Sequence, residues 1–363
     1  MPLIIDAHCD LAWNMLNFGR DYTRSAAETR EKEKGTIAPE KNGATLIGWP
    51  EYQRGQVAIV FSTLFAAPAR ANEGDWDKIC YSTYPEAHKL YLDQLQLYHE
   101  LAESKPDHFR IIFNKKDLSS HMSEWQDPAR KERPVGLLPL MEGADGILDM
   151  DELPEWHDLG LRIIGLAWAG TRYSGGTREP GPITAEGRQL LKAMADFNFT
   201  LDLSHMDERA ALDALDQYEG PLAATHVNCL ALLPNFPTNR HFSDTVLRGV
   251  IERGGVIGTV PLNSFLKTGW SHRNDSRREE VPLDVAAAHI DHVCQLAGDS
   301  LHAGIGSDFD GGFGVQSVPP EIDTIADLQK LGPLLMERGY SETDVANILG
   351  LNWLNFLEKN LPA

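Results

Sequence analysis

Eight short apolar runs, separated by longer stretches of chain, constrain the fold of this protein more than any other feature. Several of the intervening stretches have helical periodicity, among them EAHKLYLDQLQLYHELAES and AEGRQLLKAMADFN. Strands that alternate with helices run parallel, because each helix carries the chain back to the start of the sheet. The predicted strands are residues 3–8, 57–64, 135–142, 161–167, 200–205, 222–226, 255–260 and 303–308.

Eight parallel strands in a chain of this length predict an α/β fold of the (β/α)8 TIM-like barrel type. An open doubly wound sheet is the alternative, but no GxGxxG follows the first strand. We predict a single domain over residues 1–363, because no linker, repeat or low-complexity segment interrupts the pattern. Segments 19–55 and 262–282 are expected to be long loops over the barrel mouth. RIIF at 110–113 predicts an accessory ninth strand.

Composition excludes some partners. The chain has 33 basic and 53 acidic residues and a net charge of −20, which argues against nucleic acid, whose phosphates need basic surface. No apolar run approaches the roughly 18 residues of a membrane span, and MPLIID lacks the basic start of an export signal. The four cysteines form no CxxC pair. We therefore expect a cytoplasmic protein that acts on a small molecule, with no membrane partner.

The first strand ends in an unusual run of polar residues, IIDAHCDLAW. Alternation along a strand places Asp6, His8 and Asp10 on one face. Burying two carboxylates without partners is costly, so something at the end of this strand must compensate them. A metal ion is the first candidate.

Other predicted strands also end in residues that can bind metal. These residues are Glu142 on the third strand, His205 on the fifth, His226 on the sixth and Asp308 on the eighth. The carboxyl ends of barrel strands meet at one rim, where the three histidines and the acids would suit two divalent metal ions. Asp310 shares a strand face with Asp308 and remains an alternative to it. Asp202 faces away from His205, which predicts a structural hydrogen bond.

The motifs that contain these residues occur in a characteristic order. DAHCD, LMEGAD, LSH and then TH, NRHFSD, GSDFDG and ILGLNWLNFL together resemble the membrane (renal) dipeptidase family of zinc metallopeptidases, in the amidohydrolase superfamily. The resemblance spans nearly the whole chain. It implies a distorted barrel of the metal-dependent hydrolase type, a binuclear zinc site with two ions per chain, hydrolysis of dipeptides and a homodimer.

The resemblance also implies roles for individual residues. Asp308 matches the family's acid/base residue, and Arg240 matches the arginine near the substrate's carboxylate. An arginine fork suits a carboxylate. Glu142 would bridge the two ions, with a pair of ligands on either side of it. The five implied metal ligands are His8, Asp10, Glu142, His205 and His226.

Two positions depart from the family pattern. Trp168 stands where the family has a histidine thought to steady the tetrahedral intermediate, and Asn263 is the nearest match to a family tyrosine after the seventh strand. Arg172 or Tyr173 could replace the missing donor. The departures bear on the substrate more than on the metals.

The hypothesis from sequence is a zinc-dependent dipeptidase in which a metal-bridging hydroxide attacks the peptide bond. Glu142 and Asp308 would be its catalytic residues, while Arg240, Trp168 and Asn263 would contact substrate. A related amidohydrolase acting on another small carboxylate-bearing amide, such as an N-acyl amino acid, is the alternative. A non-catalytic metal-binding scaffold is a further one.

Overall fold

The computed structural model describes residues 1–363, and its central feature is a parallel barrel. Consecutive barrel strands pair in parallel, and the first strand also pairs with the last. The predicted (β/α)8 barrel is confirmed. Its strands are β1 (Ile4–Cys9), β2 (Val57–Phe65), β3 (Val135–Glu142), β4 (Ile163–Gly165), β5 (Thr200–Asp202), β6 (Leu222–Ala223), β7 (Ile257–Thr259) and β8 (Ala303–Ile305).

The barrel closes weakly between β6 and β7. A single bridge joins Ala224 to Ile257, and the Gly258 amide donates to the Ala224 carbonyl at 2.8 Å. Strands β5 and β8 end earlier than predicted, because His205 (φ 67°) and Asp308 (φ 59°) adopt left-handed backbone conformations that a strand cannot contain. The three longest strands of the barrel are therefore β1, β2 and β3.

Helices surround the barrel. The C-terminal helical stretch is interrupted by a π-helical turn, Asn347–Leu351, at which Gly350 packs against β1. A Cβ on Gly350 would lie 2.5 Å from the Leu3 carbonyl oxygen, so the close approach requires glycine. The helices outside 19–55 and 262–282 are Leu11–Phe18, Tyr84–Ser104, Lys115–Gln126, Leu153–Asp158, Ala185–Asp196, Glu208–Gln217, Asp244–Glu252, Asp284–Ala297, Leu331–Glu337, Glu342–Ala346 and Asn352–Asn360.

Segment 19–55 differs from its prediction as a loop, because it contains three short helices. Ser25 caps the first by accepting from the Glu28 amide, and the other two carry proline in their first turn. The many charged residues of this segment favoured the loop prediction over these helix-start signals. The helices are Ala26–Glu33, Ala38–Lys41 and Trp49–Gly55.

Segment 262–282 is largely irregular, as predicted, with one short helix, Asn263–Leu266, and two 3₁₀ turns. The accessory strand is confirmed as Phe109–Ile111, which pairs with β3. Two small two-stranded sheets complete the structure, Ala67–Pro68 with Cys80–Tyr81 and Ser174–Gly176 with Glu179–Ile183.

Apolar side chains of the strands and the surrounding helices form one continuous cluster of 98 buried residues, so the barrel and its helices share a single core. None of the helices combines the length and the apolar character that a membrane crossing would require.

Candidate metal centre

His8 lies at the carboxyl end of β1 among three carboxylates. Its Nε2 atom is 3.6 Å from Asp10 Oδ2, 3.7 Å from Glu142 Oε2 and 3.9 Å from Asp308 Oδ1. The His8 side chain is fully buried, yet neither ring nitrogen has a hydrogen-bond partner. A buried imidazole that faces three carboxylates and makes no hydrogen bond is suited to binding a cation.

A second cluster lies at the ends of β3, β5 and β6. Glu142 Oε1 is 2.9 Å from His205 Nε2 and 3.3 Å from His226 Nε2, and the two Nε2 atoms are 2.9 Å apart. The other ring nitrogens, the Nδ1 atoms, lie 3.0 Å from Thr177 Oγ1 and 2.9 Å from Thr225 Oγ1. Both rings therefore turn Nε2 toward the same carboxylate oxygen.

Glu142 joins the two clusters through its two carboxylate oxygens. Oε2 faces His8, whereas Oε1 faces the other two histidines. Three groups of potential ligand atoms, each within 4.8 Å of one another, share these residues: His8, Asp10 and Glu142; Glu142, His205 and His226; and His8, His226 and Asp308. A mixed nitrogen and oxygen set of this kind fits zinc, and a shared carboxylate fits two ions.

Burial and neighbouring charges shift the pKa values of the three histidines in different directions. Burial lowers the pKa of His205 to about 4, with Arg240 adding to the effect, and lowers that of His226 well below its usual range. Burial alone would also lower the pKa of His8, but the carboxylates of Glu142 and Asp10 raise it to about 10. Neutral histidines bind metal through an unprotonated nitrogen, which suits the second cluster.

The pKa values of the three acids also shift in different directions. Burial raises the pKa of Asp10 well above its usual range and that of Asp308 to about 7. Burial alone would raise the pKa of Glu142, but His8 and His205 hold it well below its usual range. Glu142 is thus the acid that its neighbours keep charged.

Asp308 and Asp310 lie close in sequence but face different surroundings. Asp308 points into the metal centre, whereas Asp310 is fully buried away from it. Asp310 Oδ2 accepts hydrogen bonds from Arg20 Nη1 (2.8 Å), Tyr22 OH (2.8 Å) and Thr45 Oγ1 (2.6 Å). Asp310 therefore ties segment 19–55 to the turn that carries Asp308, and this placement favours Asp308 as the acid/base candidate.

Asp6 does not reach the metal centre. Its carboxylate accepts hydrogen bonds from the Ser307 amide (2.7 Å) and hydroxyl (2.5 Å), and Cys9 Sγ donates to it at 3.3 Å. Hydrogen bonds from Ser307, just beyond β8, and from Cys9 of β1 itself therefore compensate this acid.

Gly311 is a residue of the centre that sequence reasoning missed. A Cβ at this position would lie 2.3 Å from Asp308 Oδ1 and 2.8 Å from Asp10 Oδ2. The two carboxylates thus occupy space that any other side chain would fill. The paired glycines after Asp310 in the sequence were the available signal.

A cavity of about 800 Å³ opens over the metal centre. Asp10, Glu142, His205 and Asp308 line it, together with eight residues of the predicted mouth segment 262–282; from segment 19–55 only Lys41 lines it. Its wall is aromatic, and of these residues only Trp168 was predicted from the sequence; they are Trp13, Phe65, Trp76, Trp168, Phe236, Phe265 and Trp270.

Arg240 lines the cavity while being almost completely buried. Its Nη2 atom donates to the His226 carbonyl at 2.7 Å, but Nε and Nη1 have no partner. Burial lowers its pKa, although an arginine keeps its charge. The two free donor atoms suit a carboxylate ligand.

Trp168 also lines the cavity, and its ring packs edge-on against Phe65, with centroids 4.9 Å apart. Arg172 and Tyr173, the two residues that could replace the missing donor, form their hydrogen bonds away from the cavity. Tyr173 OH donates to the Ile147 carbonyl at 2.6 Å, and Arg172 Nη2 donates to Tyr173 OH at 2.6 Å. Neither residue lines this cavity.

Asn263 is fully buried, and its Nδ2 atom donates to the Val318 carbonyl at 3.2 Å. It does not line the cavity, so its predicted contact with substrate has no support in this geometry.

A parallel barrel whose strands end in clustered histidines and carboxylates is the architecture of metal-dependent hydrolases. The chain belongs to the membrane dipeptidase family (peptidase family M19), whose sequence profile matches residues 1–361. The family resemblance seen in the sequence is therefore confirmed, and the protein is a metallopeptidase of the dipeptidase type.

Similarity to individual relatives extends over more than half of the chain. An uncharacterized protein from the pqqA 5′ region of Klebsiella pneumoniae is 30% identical over 276 residues, which cover 73% of this chain and 94% of that protein. The dipeptidase tcpJ of Claviceps purpurea is 29% identical over 229 residues, covering 60% of this chain and 50% of that enzyme.

Two solved structures share the fold. The metallopeptidase dipeptidase AC is 25% identical, with a TM-score of 0.77 and coverage of 100% of this chain and 99% of its own. A metallopeptidase from Rhodobacter sphaeroides, liganded with a phosphinate mimic of the dipeptide L-Ala-D-Ala, is 23% identical, with a TM-score of 0.78 and coverage of 99% of both chains.

Proposed function

We propose that this protein is a zinc-dependent dipeptidase that holds two zinc ions and hydrolyses the peptide bond of dipeptides. The main support for the proposal is the position of Glu142, because its two carboxylate oxygens face separate clusters of potential ligands. The dipeptide mimic bound by the Rhodobacter sphaeroides metallopeptidase supports the substrate class.

His8 and Asp10 would hold one ion, His205 and His226 would hold the other, and Glu142 would bridge them. The orphaned Nε2 atom of His8 and the converging Nε2 atoms of the other two histidines fit this assignment. When bound, the ions would lower the pKa of a water molecule and polarise the scissile carbonyl.

The side chains around the ions do the remaining work. Asp308 lines the cavity beside His8, where it would accept a proton from the attacking water and return it to the leaving amine. The free donor atoms of Arg240 would hold the substrate's carboxylate and so fix the distance from that carboxylate to the scissile bond. The aromatic wall would exclude bulk water.

Trp168 favours a second candidate, hydrolysis of another small carboxylate-bearing amide such as an N-acyl amino acid. Its indole lies on the cavity wall where the family has a histidine, and it makes no hydrogen bond within the chain. Arg240 would serve such a substrate equally well.

The test is turnover of two panels, dipeptides and N-acyl amino acids, by protein loaded with zinc and analysed for metal content. Hydrolysis of dipeptides with about two zinc ions per chain is the expected result. Preference for the acyl panel would move the assignment to the second candidate, and zinc binding without turnover on either panel would indicate a scaffold.

We also propose a homodimer and a cytoplasmic location. Light scattering on the purified protein and fractionation of cells test these two points independently of the activity.

A further inference from the structure

The orientation of His226 depends on a hydroxyl group next to it in the chain. Thr225 Oγ1 lies 2.9 Å from His226 Nδ1 and 2.5 Å from Asp202 Oδ2. A carboxylate accepts hydrogen bonds and cannot donate them, so the Thr225 hydroxyl proton belongs to Asp202. The same oxygen can then only accept the proton of His226 Nδ1.

This assignment fixes the histidine tautomer. With its proton on Nδ1, His226 presents an unprotonated Nε2, which lies 3.3 Å from Glu142 Oε1 and 2.9 Å from His205 Nε2. The lone pair of Nε2 is therefore directed at the position that the proposed function gives to a metal ion.

The carboxylate at the other end of this chain of hydrogen bonds is itself held in place. Asp202 Oδ1 accepts from the Thr225 amide at 2.9 Å and from the Ser204 amide at 3.0 Å. Asp202 and Thr225 are both buried, so water does not compete for these bonds. The chain of hydrogen bonds from Asp202 through Thr225 to His226, here called the relay, therefore has one possible arrangement of its protons.

A similar pair on the opposite side of the barrel serves as an internal contrast. Asp6 accepts from the amide and hydroxyl of Ser307, which immediately precedes Asp308. There the hydroxyl oxygen accepts from the Phe309 amide at 3.2 Å and reaches no candidate ligand. An acid and a hydroxyl can therefore link two strands without contacting a histidine, as Asp6 and Ser307 do. The Asp202 and Thr225 pair, by contrast, contacts His226.

We propose that Asp202 and Thr225 are positioning residues that hold His226 as its Nδ1-protonated tautomer, so that Nε2 is available as a metal ligand. The inference rests on the proposed function only in taking His226 as a ligand. It adds two residues whose part in metal binding the sequence did not indicate.

Zinc affinity tests the proposal directly. Stepwise dissociation constants are measured by competition with a chromophoric chelator for the wild type, Thr225→Val, Thr225→Ser and a control, Thr63→Val. Thr63 is a buried threonine of β2 whose hydroxyl has no partner, so this control removes a buried hydroxyl that touches no ligand.

The valine variant at 225 should bind one of the two zinc ions about 10- to 100-fold more weakly, the usual cost of losing a group that orients a ligand. The serine variant and the Thr63→Val control should keep wild-type affinity for both ions. Equal zinc affinity in Thr225→Val and the wild type would overturn the relay.

A measurement on the wild type, made before and after zinc is added, covers the case in which Thr225→Val does not fold, because zinc on Nε2 would by itself leave the proton on Nδ1. Long-range ¹H–¹⁵N spectra, assigned by the signal lost in His226→Gln, should show the His226 proton on Nδ1. A proton on Nε2 would refute the relay. Failure of the wild type to bind a second zinc ion would instead refute the proposed function, so the two failures are distinguishable.

Discussion

The two halves of the metal centre support their histidines differently. Beside β5 and β6, His205 and His226 each rest Nδ1 on a threonine hydroxyl, and burial lowers the pKa of both rings. Beside β1, His8 has no hydrogen bond to either nitrogen, and nearby carboxylates raise its pKa to about 10.

The difference shows two ways of preparing a ligand. Hydrogen bonds orient the β5 and β6 histidines, so their unprotonated nitrogens face inward whether or not a cation is bound. His8 depends on opposite charge, and its arrangement with Asp10 is complete only when a proton or a metal ion balances the acids. Glu142 belongs to both halves, because one oxygen faces each of them.

Glu142→Gln should have the largest effect, because it removes the group that the two halves share. A neutral amide bridges two cations poorly, so we expect loss of zinc and a fall in activity of at least about 10³-fold, the equivalent of several kcal/mol. Metal analysis after dialysis and initial rates measure both. Full activity in this variant would contradict the shared site, and Glu179→Gln on the cavity rim, which should keep both ions, is the control.

Asp308→Asn should separate chemistry from metal binding in the β1 half. We expect both zinc ions to remain while kcat falls about 10²–10⁴-fold, the usual span for a general acid/base residue. Rates and zinc content measured on the same preparation check this prediction.

Asp310→Asn is the matched control for that change. Asp310 is buried in an ion pair with Arg20, so the loss of its charge should lower the free energy of unfolding by about 3–5 kcal/mol. The folded fraction should keep most of its kcat. The reverse pattern, with a large kcat loss only in Asp310→Asn, would show that Asp310 is the acid/base residue.

Much of the barrel could be predicted from sequence, because parallel strands buried on both faces leave continuous apolar runs. The site residues were recognisable for a related reason. His8, Glu142 and Asp308 follow such runs at the rim where a barrel gathers its strand ends, and this position does not depend on details of packing.

The parts that escaped prediction depend on contacts between distant segments. The partners of Asp310 come from segment 19–55, and the role of Thr225 depends on Asp202, which lies on another strand. Asp202 was expected to make a structural hydrogen bond. It does, but the bond continues to His226, and no periodicity in one strand reveals that continuation.

Gly311→Ala should disturb the β1 half and leave the other intact. The added methyl would meet the carboxylates of Asp308 and Asp10, and a displacement of about 1 Å at a reacting group can cost about 10²-fold in rate. We expect a loss of that order in kcat, with a weaker zinc site at His8. In Gly181→Ala, where the new Cβ makes only ordinary contact, rate and metal binding should not change.

Trp168→His should have the smallest effect and the opposite sign. A well-placed donor to the developing oxyanion contributes about 10²–10³-fold, and the family resemblance gives that role to a histidine at this position. The indole of Trp168 packs on Phe65, and its ring centroid lies 6.3 Å from that of His205, so it occupies space beside the proposed ligands. A histidine not adapted to this wall would recover part of the effect, and we expect about a tenfold gain in dipeptide kcat.

The measurement is kcat and KM for dipeptides and N-acyl amino acids, with Trp76→His as the control for a smaller ring elsewhere on the cavity wall. A gain confined to dipeptides and to Trp168→His would show that the wild type lacks an oxyanion donor. If the folded, zinc-loaded variant is slower on every substrate, then Trp168 is itself adapted to the pocket, since its removal costs contacts that the histidine does not replace. That outcome, together with wild-type turnover of the acyl panel, would keep the metal centre and transfer the substrate assignment from dipeptides to other small amides.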